Sequence, residues 1–174
     1  MCQYLIEGDL MGPTVSKEKD KDNRFDFCKL ELGKDDNIAT VYREDGVVAF
    51  MDANPAVEEG HVLVVPVKHY SFLTDMPPEE FAQLALVVQK IAAAVKRTYN
   101  TDSVKIEIFD GKGSGGTVNH LHIHIIPRYE NDGFEPSSGK PVYWKTYSER
   151  HNGAKLSLDQ LRATAKKIAQ SISK

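Results

Sequence analysis

The sequence predicts an α+β domain, with a mainly antiparallel sheet, one long helix and a C-terminal helix. Three observations predict it. β-Branched and aromatic runs come in short-range pairs. A single long stretch, Glu79–Tyr99, repeats apolar side chains at helical spacing, and a second such stretch closes the chain. At 174 residues and 19.4 kDa the length suits one domain with a core of its own.

The elements follow in order. Residues 1–24 read as a flexible N-terminal extension, because Gly8, Gly12 and Pro13 break any pattern and Ser16–Arg24 is almost wholly polar. Apolar patterning starts with Phe25, Phe27, Cys28, Leu30 and Leu32, so a single domain is expected over 25–174. Asn37–Tyr42 and Val47–Asp52 read as a hairpin joined at Glu44–Asp45–Gly46. Asn54–Gly60 is a loop, and His61–Pro66 a buried strand. In Glu79–Tyr99 the residues Phe81, Leu84, Val88, Ile91 and Val95 form one helical face, with Pro77 and Pro78 at its start. Val104–Phe109 alternates as a half-wet strand, and His120–Pro127 is the next strand. Asp132–Lys140 is loop, and Leu156–Ile172 is the last helix.

Composition narrows the function. Hydrophobic residues make up 41% and charged residues 27%, which is ordinary for a folded domain. The net charge of −3 supplies no basic field for nucleic acid or anionic membrane. Two cysteines, Cys2 and Cys28, exclude a disulfide scaffold and favour a reducing, cytoplasmic setting. No apolar run reaches the length of a membrane span.

Six histidines are present, and His120, His122 and His124 fall on alternate positions of one strand. They therefore line one face, about 6.7 Å apart, while Leu121, Ile123 and Ile125 face a core. Three hydrogen-bonded surface histidines would be a poor explanation. A shared metal ion is a serious one, but it needs further ligands at the right reach. Nucleophilic chemistry on phosphorus is the third, since imidazole is largely neutral at physiological pH and attacks without a separate base. Just upstream, Asp110–Val118 holds four glycines, and such a loop brings backbone N–H groups up to an anion, with Thr117 adding a hydroxyl. Together they favour phosphate chemistry. His61 divides evenly between a neighbour of the triad and a satisfied core histidine. His151 and Lys112 read as surface, and Trp144 as packing.

The run Asn119-His120-Leu121-His122-Ile123-His124-Ile125-Ile126-Pro127-Arg128 resembles the signature of the histidine triad (HIT) superfamily, His-φ-His-φ-His-φ-φ. Phe50–Pro55, Gly60–Pro66 with Lys68-His69, and Tyr143-Trp144-Lys145 resemble further segments of its Hint- and Fhit-like hydrolases, so the likeness covers roughly 25–174. The resemblance implies a homodimeric HIT-like α+β fold that cleaves adenine-type nucleotide conjugates, phosphoramidates or dinucleoside polyphosphates, at the α-phosphate. It implies His122 as nucleophile, forming a nucleotidyl-histidine. His124 would serve phosphate and leaving group, His120 would support the strand, and Thr117 would bind phosphate. Asp52 would hold the ribose of a purine nucleotide, with Phe50 and Val48 in the base pocket and Gly115, Gly116 and Phe109 near the phosphates.

Two positions depart from the pattern. Phe109 stands where relatives carry Asn or Gln, and Gly116 where many carry Gln, so two amide donors are missing. A structural zinc of some relatives also loses a ligand. Cys28, His69 and His120 match its positions, but Phe25 replaces the first cysteine; Asp26 would aim differently and Cys2 is too distant. No metal and no required cofactor are therefore expected. The rival readings are a nucleotide-binding signalling or scaffold protein with little turnover, and a metal-binding protein using the histidine strand.

Overall fold

Asp45 and Gly46 both have positive φ, 41° and 78°, as a two-residue hairpin turn matched to the strand twist requires. They join β1 (Thr40–Glu44) to β2 (Val47–Met51). The remaining strands are β3 (Val62–Pro66), β4 (Ser103–Ile108) and β5 (Ile123–Arg128), and the helices are α1 (Pro78–Tyr99) and α2 (Leu158–Ala169). A 3-10 turn, Phe27–Leu32, precedes β1. This computed structural model describes residues 27–32, 36–57, 59–116, 118–130, 132 and 155–172. The expected extension, Phe25, Thr117, Trp144, His151 and nearly all of the Asp132–Lys140 loop lie outside them.

The five strands form one sheet in the order β1-β2-β3-β5-β4, every neighbouring pair antiparallel. The α+β expectation stands. Side chains alternate across the sheet. Val47, Ala49, Met51, Val62, Val64, Ile123 and Ile125 join the core under α1 and α2, while Val48, Phe50, Leu63 and Val65 pack on the other face with Phe27, Leu30 and Ile38. α1 buries Leu84, Val87, Val88, Ile91, Ala94 and Val95, a stripe at the spacing read from the sequence. α2 buries Leu161, Thr164, Ala165 and Ile168, and Ser157 and Gln160 cap it reciprocally.

Element limits moved in instructive ways. The first strand runs over Thr40–Glu44 rather than Asn37–Tyr42, and a bulge between Thr40 and Tyr42 shifts its register on β2. The helix expected over Leu156–Ile172 is shorter at both ends, because Ser157 caps it and the chain turns after Ala169. The correction that matters is at the histidines. The ladder begins at Ile123, not His120. Opposite this segment, Pro66 has no N–H to offer and its carbonyl accepts from His120 Nε2 at 2.8 Å, while Leu121 N–H donates to Tyr70 O at 2.7 Å. His120 and His122 therefore stand on the approach to the strand, and only His124 stands within it.

Candidate active site

The site lies on the sheet face away from the helices. His120, His122 and His124 are all buried there, with side chains 2–8% exposed. His122 Nδ1 lies 2.7 Å from the His120 carbonyl. A carbonyl only accepts, so Nδ1 carries the proton and the neutral ring keeps its lone pair on Nε2. Burial holds His122 below the ordinary histidine range, against the opposing pull of the His120 carbonyl and the Asp52 charge.

A second chain of hydrogen bonds fixes His124. Ala56 N–H donates to His61 Nδ1 at 2.9 Å, so the His61 proton is on Nε2. That nitrogen sits 2.9 Å from His124 Nδ1, which must then accept, and the His124 proton resides on Nε2. Burial lowers both residues to about 3: His122 adds to this for His61, and His61 and His122 add to it for His124. The rings of His122 and His124 are 4.9 Å apart, closer than an ideal strand spacing predicts. A lone pair and an N–H donor thus stand side by side. That pair can attack an electrophile and protonate what leaves.

His120 plays a different part. Its Nε2 is engaged with Pro66 O, and its ring meets His69 edge-on at 4.9 Å and Phe27 at 5.8 Å. It anchors the segment, and its carbonyl orients His122.

Asp52 directly follows β2, and Gly60 lets the loop return: φ is +88°, and a Cβ there would meet Tyr99 Cε2 at 2.6 Å. Asp52 N–H then donates to His61 O at 3.0 Å. Its Oδ1 accepts from Asn54 N–H at 2.8 Å, and Oδ2 lies 3.5 Å from His61 Nδ1. Burial raises the Asp52 carboxyl above its usual range. Val48 and Phe50 line the same face from β2. Phe27 was not among the expected site residues. Its ring packs edge-on against Phe50 at 5.3 Å and His122 at 5.5 Å, so it bridges the apolar pocket and the histidines. Its segment carries apolar patterning but no chemical motif, and only the tertiary contact reveals its place in the site.

Phe109 follows β4 and sets its ring perpendicular to His124, centroids 5.2 Å apart. In the glycine loop, Gly115 N–H donates to Lys112 O and Gly116 N–H to Gly111 O, both at 3.1 Å. These two donors serve the loop's own turn. Gly116 is also sterically fixed, since a Cβ would meet Phe109 O and Gly111 O at 2.9 Å.

Among the described residues, one set of three possible metal ligands occurs: Asp52, His61 and His124, with ligand atoms within 4.8 Å of one another. Three of its four imidazole nitrogens are already used in the Ala56–His61–His124 chain, so it fits protons better than a cation.

The family model for the HIT domain matches residues 34–131. A HIT-like protein of Bartonella henselae has a similar structure, with a TM-score of 0.69 at 34% identity over 86% of this chain and 97% of that one. A zinc-bound histidine triad family protein of Mycobacterium smegmatis gives a TM-score of 0.59 at 31% identity, over 83% and 95% of the two chains. The bis(5'-adenosyl)-triphosphatase of Dictyostelium discoideum is 45% identical over 91 residues, 52% of this chain and 59% of that protein.

Proposed function

The chain belongs to the HIT domain family, and from that premise we propose that it hydrolyses adenine-type nucleotide conjugates at the α-phosphate through His122. The observation that carries this reading is the pair of opposed tautomers, with a lone pair on His122 Nε2 beside a proton on His124 Nε2. In the first half-reaction His122 Nε2 bonds to phosphorus, the bond to the leaving group breaks, and the leaving atom takes the His124 proton, so that His124 is left an imidazolate beside the cationic nucleotidyl-imidazolium of His122. In the second, water adds to phosphorus as the His122 bond breaks, and the water's other proton returns to His124 Nε2. Phe27, Phe50 and Val48 receive the base, and Asp52 the ribose hydroxyls. A relative that is a bis(5'-adenosyl)-triphosphatase supports an adenine nucleotide as substrate. Thr117 keeps its proposed role as phosphate donor, beside Gly115 and Gly116.

We read the chain as a cytoplasmic homodimer with no required cofactor. The low cysteine count supports the setting, and among the described residues no helix is long and apolar enough to cross a membrane. One relative is zinc-bound, and for this chain our reading is that no structural zinc is held. His69 and His120 present adjoining rings, but His120 Nε2 holds Pro66 O and Phe25 supplies no donor atom.

His122→Ala is expected to abolish turnover while nucleotide affinity stays within about tenfold, as for loss of a nucleophile. Wild type quenched in turnover should carry one nucleotidyl group by mass spectrometry, with and without EDTA. Full activity of the variant would end this reading, and loss of activity in EDTA would end its metal-free form.

A further inference from the structure

The backbone ladder stops one residue short of His61. β3 pairs with β5 at Val62–Ile125, Leu63–His124 and Val64–Ile123. Carried two residues further, the same register sets Gly60 opposite Pro127, which has no N–H to donate. His61, whose imidazole fixes the His124 proton, therefore needs another restraint on its N-terminal side.

An aromatic ring supplies it. Tyr99 is the last residue of α1 and packs against the core under the helices. Gly60 is buried between Tyr99 and Pro127: a Cβ there would meet Tyr99 Cε2 at 2.6 Å, Pro127 Cγ at 2.8 Å and Tyr99 Cζ at 3.0 Å. The clamp is itself anchored. Tyr129 Oη donates to Tyr99 O at 3.1 Å, and Thr101 Oγ1 donates to Arg128 O, so the end of α1 is tied to the end of β5. Tyr99 Oη is buried and takes no hydrogen bond among the described residues, which leaves the ring's hold on Gly60 steric.

We propose that Tyr99 is a positioning residue: from the helix side of the sheet, its ring fixes Gly60 and with it the reach of His61 Nε2 to His124 Nδ1. This rests on the hydrolase reading above. With the ring in place, His61 is held between Ala56 N–H and His124, and the His124 proton stays on Nε2. A smaller side chain at 99 frees the backbone at 60 and loosens the 2.9 Å contact between the two imidazoles. The His124 proton can then move to Nδ1, where it serves no leaving group. His122 is set separately by the His120 carbonyl, so attack survives while protonation suffers.

The test uses the full chain and two AMP conjugates: the tryptamine phosphoramidate, whose amine must be protonated to leave, and the p-nitrophenyl ester, whose phenolate need not be. Tyr99→Leu should lower kcat about tenfold for the phosphoramidate and less than about twofold for the ester, as partial loss of general-acid catalysis requires. Tyr99→Phe keeps the ring and should match wild type on both. Tyr99→Met, closer in volume, carries the same expectation as Tyr99→Leu and replaces it if that variant does not fold. In a His61→Asn background the substitution at 99 should cost the phosphoramidate nothing more, since both act through one contact. Nitrogen NMR of the imidazoles reads the tautomer without turnover: His124 protonated on Nε2 in wild type and Tyr99→Phe, mixed in Tyr99→Leu. Equal losses on both conjugates, a loss in Tyr99→Phe, or an unmixed tautomer in Tyr99→Leu would overturn the positioning role and leave the hydrolase reading intact. A wild type that turns over neither conjugate and gains no nucleotidyl group would overturn that reading, and the catalytic role of Tyr99 with it.

Discussion

His61 lies 63 residues from His124 in the chain, yet its one proton decides where the His124 proton sits. It touches no reacting atom and acts as a positioning residue. His61→Asn should therefore lower kcat by about 10²-fold with KM little changed, the scale of lost general-acid catalysis. The loss should shrink for a conjugate whose leaving group needs no proton, such as p-nitrophenol. Steady-state kinetics with both leaving groups checks this, and an equal loss for both would show a merely structural role. Legibility at this scale was uneven. The triad announces itself because alternate histidines have a fixed geometric meaning in an extended chain. The His61–His124 pairing has no local signature, and neither has Phe27, since each depends on segments that only the fold brings together. The loss of amides at 109 and 116 was visible, whereas the ring contact of Phe109 and the self-bonded N–H groups of Gly115 and Gly116 were not.

At the scale of elements, period-two and period-3.6 patterning located all five strands and both helices. Their ends slipped where side chains compete with the ladder, as at Pro66 and His120. One element is left with work to do. Among the described residues β4 is a sheet edge, with only β5 beside it, and Ile106 on it is 48% exposed, as is Leu86 on α1 at 59%. An edge with an exposed β-branched residue invites another strand, and the homodimer we propose would supply one from a second copy about a two-fold axis. Light scattering at micromolar concentration should give about twice 19.4 kDa. Ile106→Lys should shift the particle toward the monomer, and a wild-type monomer would refute the pairing.

For the whole molecule, the buried neutral histidines tie stability to pH. His61 and His124 have folded-state values near 3, below the roughly 6.5 of an unfolded histidine. Their contribution is fully present above that unfolded value and is lost as pH falls from there toward the folded one, because the unfolded chain then binds more protons. With two such groups the fall is steep in the middle of that window. Urea midpoints should drop steeply between about pH 6 and pH 4, less so in His61→Asn, and a flat profile would contradict the buried pair. The sheet itself has a further consequence. Because it holds the helices against one surface and the histidines against the other, each strand is written in two interleaved alphabets. Ala49, Val62, Val64 and Ile125 answer to the core under the helices, whereas Val48, Phe50, Leu63 and His124 answer to the face on which the proposed site stands. A lineage that revises alternate positions of β2, β3 and β5 therefore leaves the core under the helices intact and disturbs only the smaller cluster around Phe27, Leu30 and Ile38.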